Sequence, residues 1–279
     1  MYHILITGKN SKLGTAFTQY MENHYSNQDY ELESISVRGE EWKQKDFSKY
    51  DVVLHCAGIY HAPAQEYSYY ENVNVELTDK IARKAKDCGV KSFIYLSTMD
   101  IYSQGKIDLN TKPSPVSLYG KSKLEAEKRL HQVFDNTNIK LSIIRCCPVI
   151  GKNAESNLEG YMKAFRLPVF PLMFLDDKRS ILHIDTLCEL IKMIIDKEAD
   201  GVFFPQNLDP LSVAEILSLI KEKTHKKTIL IKIPRFMWIK AKKIRRIYDS
   251  FYYSPDLSDH FGCQYIKQDS KNAIRSLFN

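Results

Sequence analysis

The six cysteines, at positions 56, 88, 146, 147, 188 and 263, form no CxxC pair and no cluster with histidine. That excludes a zinc site of the usual ligand spacing and offers no disulfide frame, so the thiols read as reduced small hydrophobes and no metal is expected. No apolar run approaches the roughly 20 residues that span a bilayer. The stretch MYHILITGKN has a short apolar run and no basic segment before it, so it does not read as a secretory signal, and the expected compartment is the cytoplasm. Repeats and low-complexity linkers are absent, as is the alternation of aromatic and basic residues used by single-strand binders. The net charge of +6 over 279 residues is too slight to argue for nucleic acid and suits a small anionic ligand equally well.

What is present is an ordinary folded composition, 44% hydrophobic and 27% charged. The first half alternates short apolar runs with helical periodicity. YHILI (2–6), ELESISV (31–37), DVVLHCAG (51–58), SFIYLST (92–98) and KLSIIR (140–145) read as strands. Residues 12–25, 72–88 and 117–134 read as helices, with Leu13, Phe17, Tyr20 and Met21 on the first stripe and Leu124, Leu130 and Phe134 facing inward on the third. Such alternation predicts an α/β fold, a Rossmann-type doubly wound parallel sheet over residues 1–150. Only fourteen residues separate Val37 from Val52, so a turn or short helical piece anchored by Trp42 is expected there. Residues 151–279 are expected to form a smaller α/β region, with some segments returning to the core. Its elements are a loop or edge strand at 167–174, helices at 185–196 and 212–223, strands at 201–205 and 228–233, and a basic helix at 235–248.

TGKNSKLG (7–14) lies between a predicted strand and a predicted helix. Gly8 would allow a tight turn and Gly14 a close helix–strand approach, with the free N–H groups at the helix start facing a pyrophosphate. Ser11 stands where a middle glycine would stand, and read alone the stretch suits a plain βα turn equally. Downstream, Tyr119 and Lys123 in YGKSK are four apart, so a helix puts both on one face, where the ammonium would lower the phenol's pKa. A strand ending in Ser97-Thr98 precedes them.

These segments together resemble the extended short-chain dehydrogenase/reductases, the NAD(P)-dependent sugar-nucleotide epimerase/dehydratase family. TGKNSKLG is similar to its TGxxGxxG loop, STMDIY (97–102) to its SSxxVYG strand end, YGKSK to its catalytic pair, RCCPVIG (145–151) to its RPxxVYG segment and RSILHIDTL (179–187) to its R-x-x-x-H-V-x-D stretch. HCAG (55–58) resembles the family's motif after the third strand, and Asn74 falls at its structural asparagine. The resemblance implies hydride transfer at a sugar carbon, with Thr98, Tyr119 and Lys123 as the catalytic set. It also implies cofactor contacts from Gly8, Asn10, Ser11, Lys12, Leu13, Gly14, Arg38, Asp46, Phe47, Cys56, Ala57, Gly58, Asn74, Lys123 and Pro148. Substrate contacts fall to Thr98, Tyr119 and Arg179.

Departures from the family narrow the reading. Met99 and Asp100 stand where 4,6-dehydratases carry an acidic pair. Methionine cannot protonate a leaving hydroxyl, and Asp100 is expected to alternate to the other face of the strand. Arg38 at the end of the second strand would welcome a 2′-phosphate, which favours NADP(H) over NAD(H). The similarity of 168–185 to capsule-sugar 4-keto reductases implies reduction of a UDP-linked 4-keto-6-deoxy-hexosamine. A nucleotide-sugar 4-epimerase and a non-catalytic dinucleotide-binding sensor are the alternatives. Arg179 suits a substrate diphosphate or a salt bridge to Asp176 or Asp177. His183 reads as structural and Asp185 as a helix cap. The basic segment 232–248 suits phosphate contacts, an anionic membrane surface or a solvated helix face. Substrate loops are placed near 59–68, 152–168 and 249–256, and a homodimer through helices 72–88 and 117–134 follows the family's habit.

Overall fold

A computed structural model describes residues 1–25, 29–60, 66–103, 105–151, 177–224 and 249–278, with the backbone alone of strands 169–173 and 229–233. The elements in chain order begin with β1 (Tyr2–Thr7), α1 (Lys12–His24), β2 (Tyr30–Ile35) and β3 (Val52–His55). Next come a long helix α2 (67–87), β4 (Ser92–Thr98), β5 (Gly105–Ile107), α3 (Leu118–Phe134) and β6 (Lys140–Cys146). Then follow β7 (Val149–Ile150), β8 (Val169–Met173), β9 (Leu182–His183), α4 (Ile184–Asp196), β10 (Gly201–Phe203), α5 (Val213–Thr224), β11 (Ile229–Ile233), β12 (Phe251–Tyr253) and α6 (Ser270–Arg275).

The chain divides into two units. The first comprises residues 1–103, 112–146 and 188–205. Its sheet has the order β10-β6-β4-β3-β1-β2 and every pair in it is parallel. β1, β3, β4 and β6 are nearly continuous buried runs, as a parallel sheet covered on both faces requires. Leu5, Val53, Phe93, Tyr95 and Ile143 pack on one face with Ile81 and Ala85 of α2 and Ala126, Leu130 and Phe134 of α3. The opposite face carries Ile6 and receives α1, whose Gly14 lies against it. The chain leaves β1 for β2 on one side and returns to β3 on the other, so the switch point of the sheet lies between β1 and β3.

Two connections explain themselves locally. Between β2 and β3 there is only a 3₁₀ turn, Glu41–Gln44, with Trp42 buried, because fourteen residues cannot carry a crossover helix. Helix α2 begins with one α-turn, Tyr67–Tyr70, widens to π-helical turns over Glu71–Glu76 and continues as α-helix over Leu77–Asp87. It stops at Gly89, whose φ of +72° suits a left-handed C-terminal glycine.

The second unit comprises residues 104–111, 147–187 and 206–279. It is held by three two-stranded parallel pairs, β5 with β12, β7 with β9 and β8 with β11. Its core gathers Ile150, Ile181, Leu217, Ile220 and Ile274 among others. Helix α5 starts in a reciprocal capping box: the Glu215 N–H donates to Ser212 Oγ, and Glu215 Oε2 accepts from the Ser212 N–H. The expected strand at 167–174 is β8, paired on its backbone with β11. The expected helix over 235–248 and the loop 152–168 lie outside the described residues.

Candidate active site

The turn after β1 is built by close approach. Gly8 has φ +100°, and a Cβ there would stand 3.0 Å from the Ala57 nitrogen. A Cβ on Gly14 already contacts Ile6 Cγ2 at 3.0 Å and Cys56 at 3.6 Å. Gly8, Gly14, Cys56, Ala57 and Gly58 therefore meet at the switch point of the sheet. Ser11 is the N-cap of α1: its φ is −68°, which asks for no glycine, and its hydroxyl accepts from the Gly14 N–H at 3.3 Å. Asn10 and Lys12 are exposed and Leu13 half-buried at the same helix start, where N–H groups of a first turn project. The Gly8 and Lys9 N–H groups both donate to the Ile35 carbonyl, tying this turn to the end of β2. Arg38, three residues beyond, is exposed. These residues fit a dinucleotide's pyrophosphate, since the close packing of Gly8 and Gly14 leaves the helix start uncovered by side chains.

Four of the expected cofactor contacts have partners within the protein itself. Phe47 is fully buried in the core, with the Lys84 ammonium 5.1 Å from the centre of its ring. Asp46 is exposed, but its Oδ1 takes both the Ser48 N–H and hydroxyl, closing an Asx-type turn. Asn74 spends its amide inside the protein: Oδ1 accepts from the Ile59 N–H, and Nδ2 donates to the Ile59 carbonyl and to Ser122 Oγ. It fastens the turn after β3 to α3 from within the π-helical turns, a role in positioning. Pro148 belongs to the second unit, where its carbonyl accepts from the Leu182 N–H.

Tyr119 and Lys123 share one face of α3. Ser117 caps that helix, accepting from the Gly120 N–H at 2.9 Å. Gly120 is required for another reason: a Cβ there would overlap the Asp100 carbonyl oxygen, so α3 starts in direct contact with the turn Met99–Ile101 that follows β4. This contact carries Tyr119 to the strand end where Thr98 sits. Burial pushes the Tyr119 phenol far above its ordinary range. The Asp100 carboxylate adds to the shift, Cys146 and Tyr60 follow, and the Thr98 hydroxyl opposes it. Lys123 is not among the groups that dominate this phenol. Its ammonium lies 3.9 Å from the centre of the Tyr95 ring, and burial drives its pKa down to about 7 against the pull of Glu127. The expected depression of Tyr119 by Lys123 thus gives way to a rise set by burial and Asp100.

Asp100 is also corrected. β4 ends at Thr98 and the chain enters a 3₁₀ turn, so strict alternation does not extend to residue 100. Tyr60 meets the Tyr119 ring edge-on at 4.8 Å, and the Tyr70 hydroxyl donates to the Tyr60 carbonyl. Neither tyrosine carries a spacing signal. Glu127 does, because it continues the Tyr119, Lys123 series by one more step of four. It is buried, accepts from Ser97 and pairs with Arg145. His55, also unweighed in the sequence, is buried as a neutral ring. Thr7 Oγ1 lies 2.6 Å from its Nδ1 and Thr78 Oγ1 3.0 Å from its Nε2; since Thr78 donates to the Asn74 carbonyl, Nε2 carries the proton.

In the second unit, Arg179 is half-buried and its backbone bridges Leu211; burial raises the Asp177 carboxyl above its ordinary range, against the pull of the Val213 N–H and the Arg179 charge. Asp176 lies outside the described residues. His183 is structural: its Nδ1 accepts the Asp185 N–H, so His183 caps α4 and Asp185 stands inside the first turn. Among the described residues no helix is long and apolar enough to cross a membrane, and no group of histidine, cysteine and acidic residues is placed to hold a metal.

Residues 4–203 match the NAD dependent epimerase/dehydratase family. The UDP-glucose 4-epimerase of Vibrio cholerae is 30% identical over 197 residues, 66% of this chain and 60% of that protein. The N-acetyl-alpha-D-glucosaminyl-diphospho-ditrans,octacis-undecaprenol 4-epimerase of Escherichia coli O157:H7 is 24% identical over 205 residues, 71% of this chain and 62% of that protein. The chain thus spans under two thirds of the length of these relatives. Among solved structures, UDP-glucuronic acid 4-epimerase from Bacillus cereus with UDP-glucuronic acid and NAD superposes with a TM-score of 0.75 at 18% identity, covering 99% of this chain and 98% of that one. RMD from Pseudomonas aeruginosa complexed with NADPH gives 0.75 at 16%, covering 100% and 98%. At such identities the likeness is one of fold: a Rossmann-type parallel sheet with flanking helices.

Proposed function

The chain belongs to the NAD dependent epimerase/dehydratase family, and on that premise we propose that it is an NAD(P)-dependent oxidoreductase of a nucleotide-linked sugar, acting as a 4-keto reductase. The observation that carries this is the placement of Thr98, Tyr119 and Lys123 at the C-terminal edge of a parallel sheet, beside the Gly8–Gly14 turn. A bound nicotinamide would supply the hydride. Gly8, Gly14 and the first turn of α1 would hold its pyrophosphate, and Arg38 a 2′-phosphate, which supports NADP(H). Thr98 would orient the sugar oxygen and Tyr119 would move its proton. Lys123, on the same helical face, would orient the cofactor ribose.

The reductive direction is supported by Arg38, which suits NADPH, and by the similarity of 168–185 to 4-keto reductases. Burial and Asp100 raise the pKa of the Tyr119 phenol, which would donate its proton to the alkoxide formed when a ketone is reduced. Epimerisation remains the second reading, supported by the two 4-epimerase relatives. The purified chain separates them: a reductase oxidises added NADPH in the presence of a UDP-linked 4-keto sugar, and an epimerase retains NAD and interconverts sugars without net oxidation. Tyr119→Phe should abolish either turnover; unchanged turnover overturns the assignment, and cofactor binding without turnover of any sugar points to a sensor.

A further inference from the structure

The family resemblance leaves Asp100 without a part, and the geometry gives it one. Met99 and Ile101 are buried and anchor the turn after β4, while Asp100 between them is half-buried. Its N–H donates to Thr98 Oγ1 at 3.2 Å. Its carbonyl oxygen lies against Gly120, the residue after Tyr119, so closely that no other residue type fits there. Residue 100 is therefore fastened to both ends of the Thr98–Tyr119 pair. Its carboxylate is the leading charge acting on the same phenol.

We propose that Asp100 is a specificity-determining residue that accepts a hydrogen bond from a hydroxyl or ammonium group of the sugar beside the reacting carbon, and disfavours sugars that carry a carboxylate. An ionised carboxylate has about four lone-pair sites, so it can accept from a sugar whatever else it contacts. The carboxylate of a hexuronate, in place of a C6 hydroxyl, offers no donor and brings a second negative charge into a partly desolvated space, where like charges repel strongly. The substrate class is thus a neutral or amino-bearing hexose on a nucleoside diphosphate. This rests on the nucleotide-sugar reading above.

The test uses calorimetric titration of the purified chain, loaded with NADP⁺, with UDP, UDP-glucose and UDP-glucuronate. The wild type should prefer UDP-glucose over UDP-glucuronate by about tenfold or more, as one misplaced buried charge commands. Asp100→Asn, isosteric with the native side chain, and Asp100→Ser should each shrink that preference to within about threefold, chiefly by tighter uronate binding, with UDP affinity unchanged. A wild-type preference below that range, or one that both variants retain, overturns the assignment of Asp100 while leaving the nucleotide-sugar reading intact. Failure of the wild type to bind UDP and both sugars overturns the reading and the assignment together.

Discussion

Arg145 and Glu127 form a buried forked ion pair beside the helix face that carries Tyr119 and Lys123, Nη2 to Oε2 at 2.7 Å and Nε to the same oxygen at 3.2 Å. Arg145 Nη1 also donates to the Tyr102 hydroxyl at 2.6 Å, and Ser97 donates to Glu127. The pair joins β6 to α3 one helical step below Lys123. Removing one partner leaves a buried charge alone, so Glu127→Ala and Arg145→Ala should each destabilise the fold by about 3–5 kcal/mol, read from denaturant midpoints. Glu127→Gln keeps the shape but removes the charge that most favours protonated Lys123. It should shift the limb of the turnover–pH profile assigned to Lys123 to lower pH; a purely structural Glu127 would leave that limb in place.

Lys123 is kept at a cost. Its pKa falls to about 7 in the folded chain, from the 10.5 of an ordinary lysine. Stability associated with the neutral form is full above the unfolded value and is lost as pH falls towards 7. Below that the buried ammonium is a net penalty. Lys123→Met should therefore abolish turnover and raise the apo protein's melting temperature at pH 6 by several degrees, a trade of stability for function. A melting temperature lowered by this substitution would contradict the burial account.

Gly120 is fixed by the Asp100 carbonyl. Gly120→Ala should push the start of α3 off the turn after β4, displacing Tyr119 from Thr98. Turnover should drop by about 100-fold or more, as small misplacements of catalytic groups do. Cofactor affinity should hold, because the Gly8–Gly14 turn is built on other elements. Stopped-flow turnover beside fluorescence titration of NADPH would show whether the two separate.

Ser11 and Gly14 should respond oppositely to substitution. Ser11→Gly loses one capping bond, worth a few tenths of a kcal/mol, and should leave NADPH binding largely intact. Gly14→Val adds side-chain volume where a Cβ alone already touches Ile6 and Cys56. It should cut NADPH affinity severely, by titration. Arg38→Ala should weaken NADPH more than NADH; equal loss for both would remove the case for a 2′-phosphate contact.

Buried His55 should limit acid stability. Burial holds its pKa down to about 3 in the folded state, against 6.5 when exposed. Its contribution is fully present above pH 6.5 and is lost progressively as pH falls towards 3, because the unfolded chain binds the proton first. His55→Asn should flatten the fall of the unfolding midpoint between pH 6 and 4.

The sequence by itself determined the order of strands and helices in the first unit, the turn at TGKNSKLG and the i, i+4 placement of Tyr119 and Lys123. These are local matters: runs of buried strand residues, glycines at forced backbone angles and helical spacing all act within a few residues of themselves. It also carried the short link anchored by Trp42, because fourteen residues leave no room for a crossover helix. What only the tertiary structure decided are the roles set by neighbours distant in the chain. Phe47 and Asn74 turned inward because the core and Ser122 claimed them. Asp100 came to lie against Thr98 and Gly120 because β4 ended at Thr98 and gave way to a 3₁₀ turn. The ionisation of Tyr119 and Lys123 was settled by burial, a property of the whole packed unit that no spacing of residues encodes.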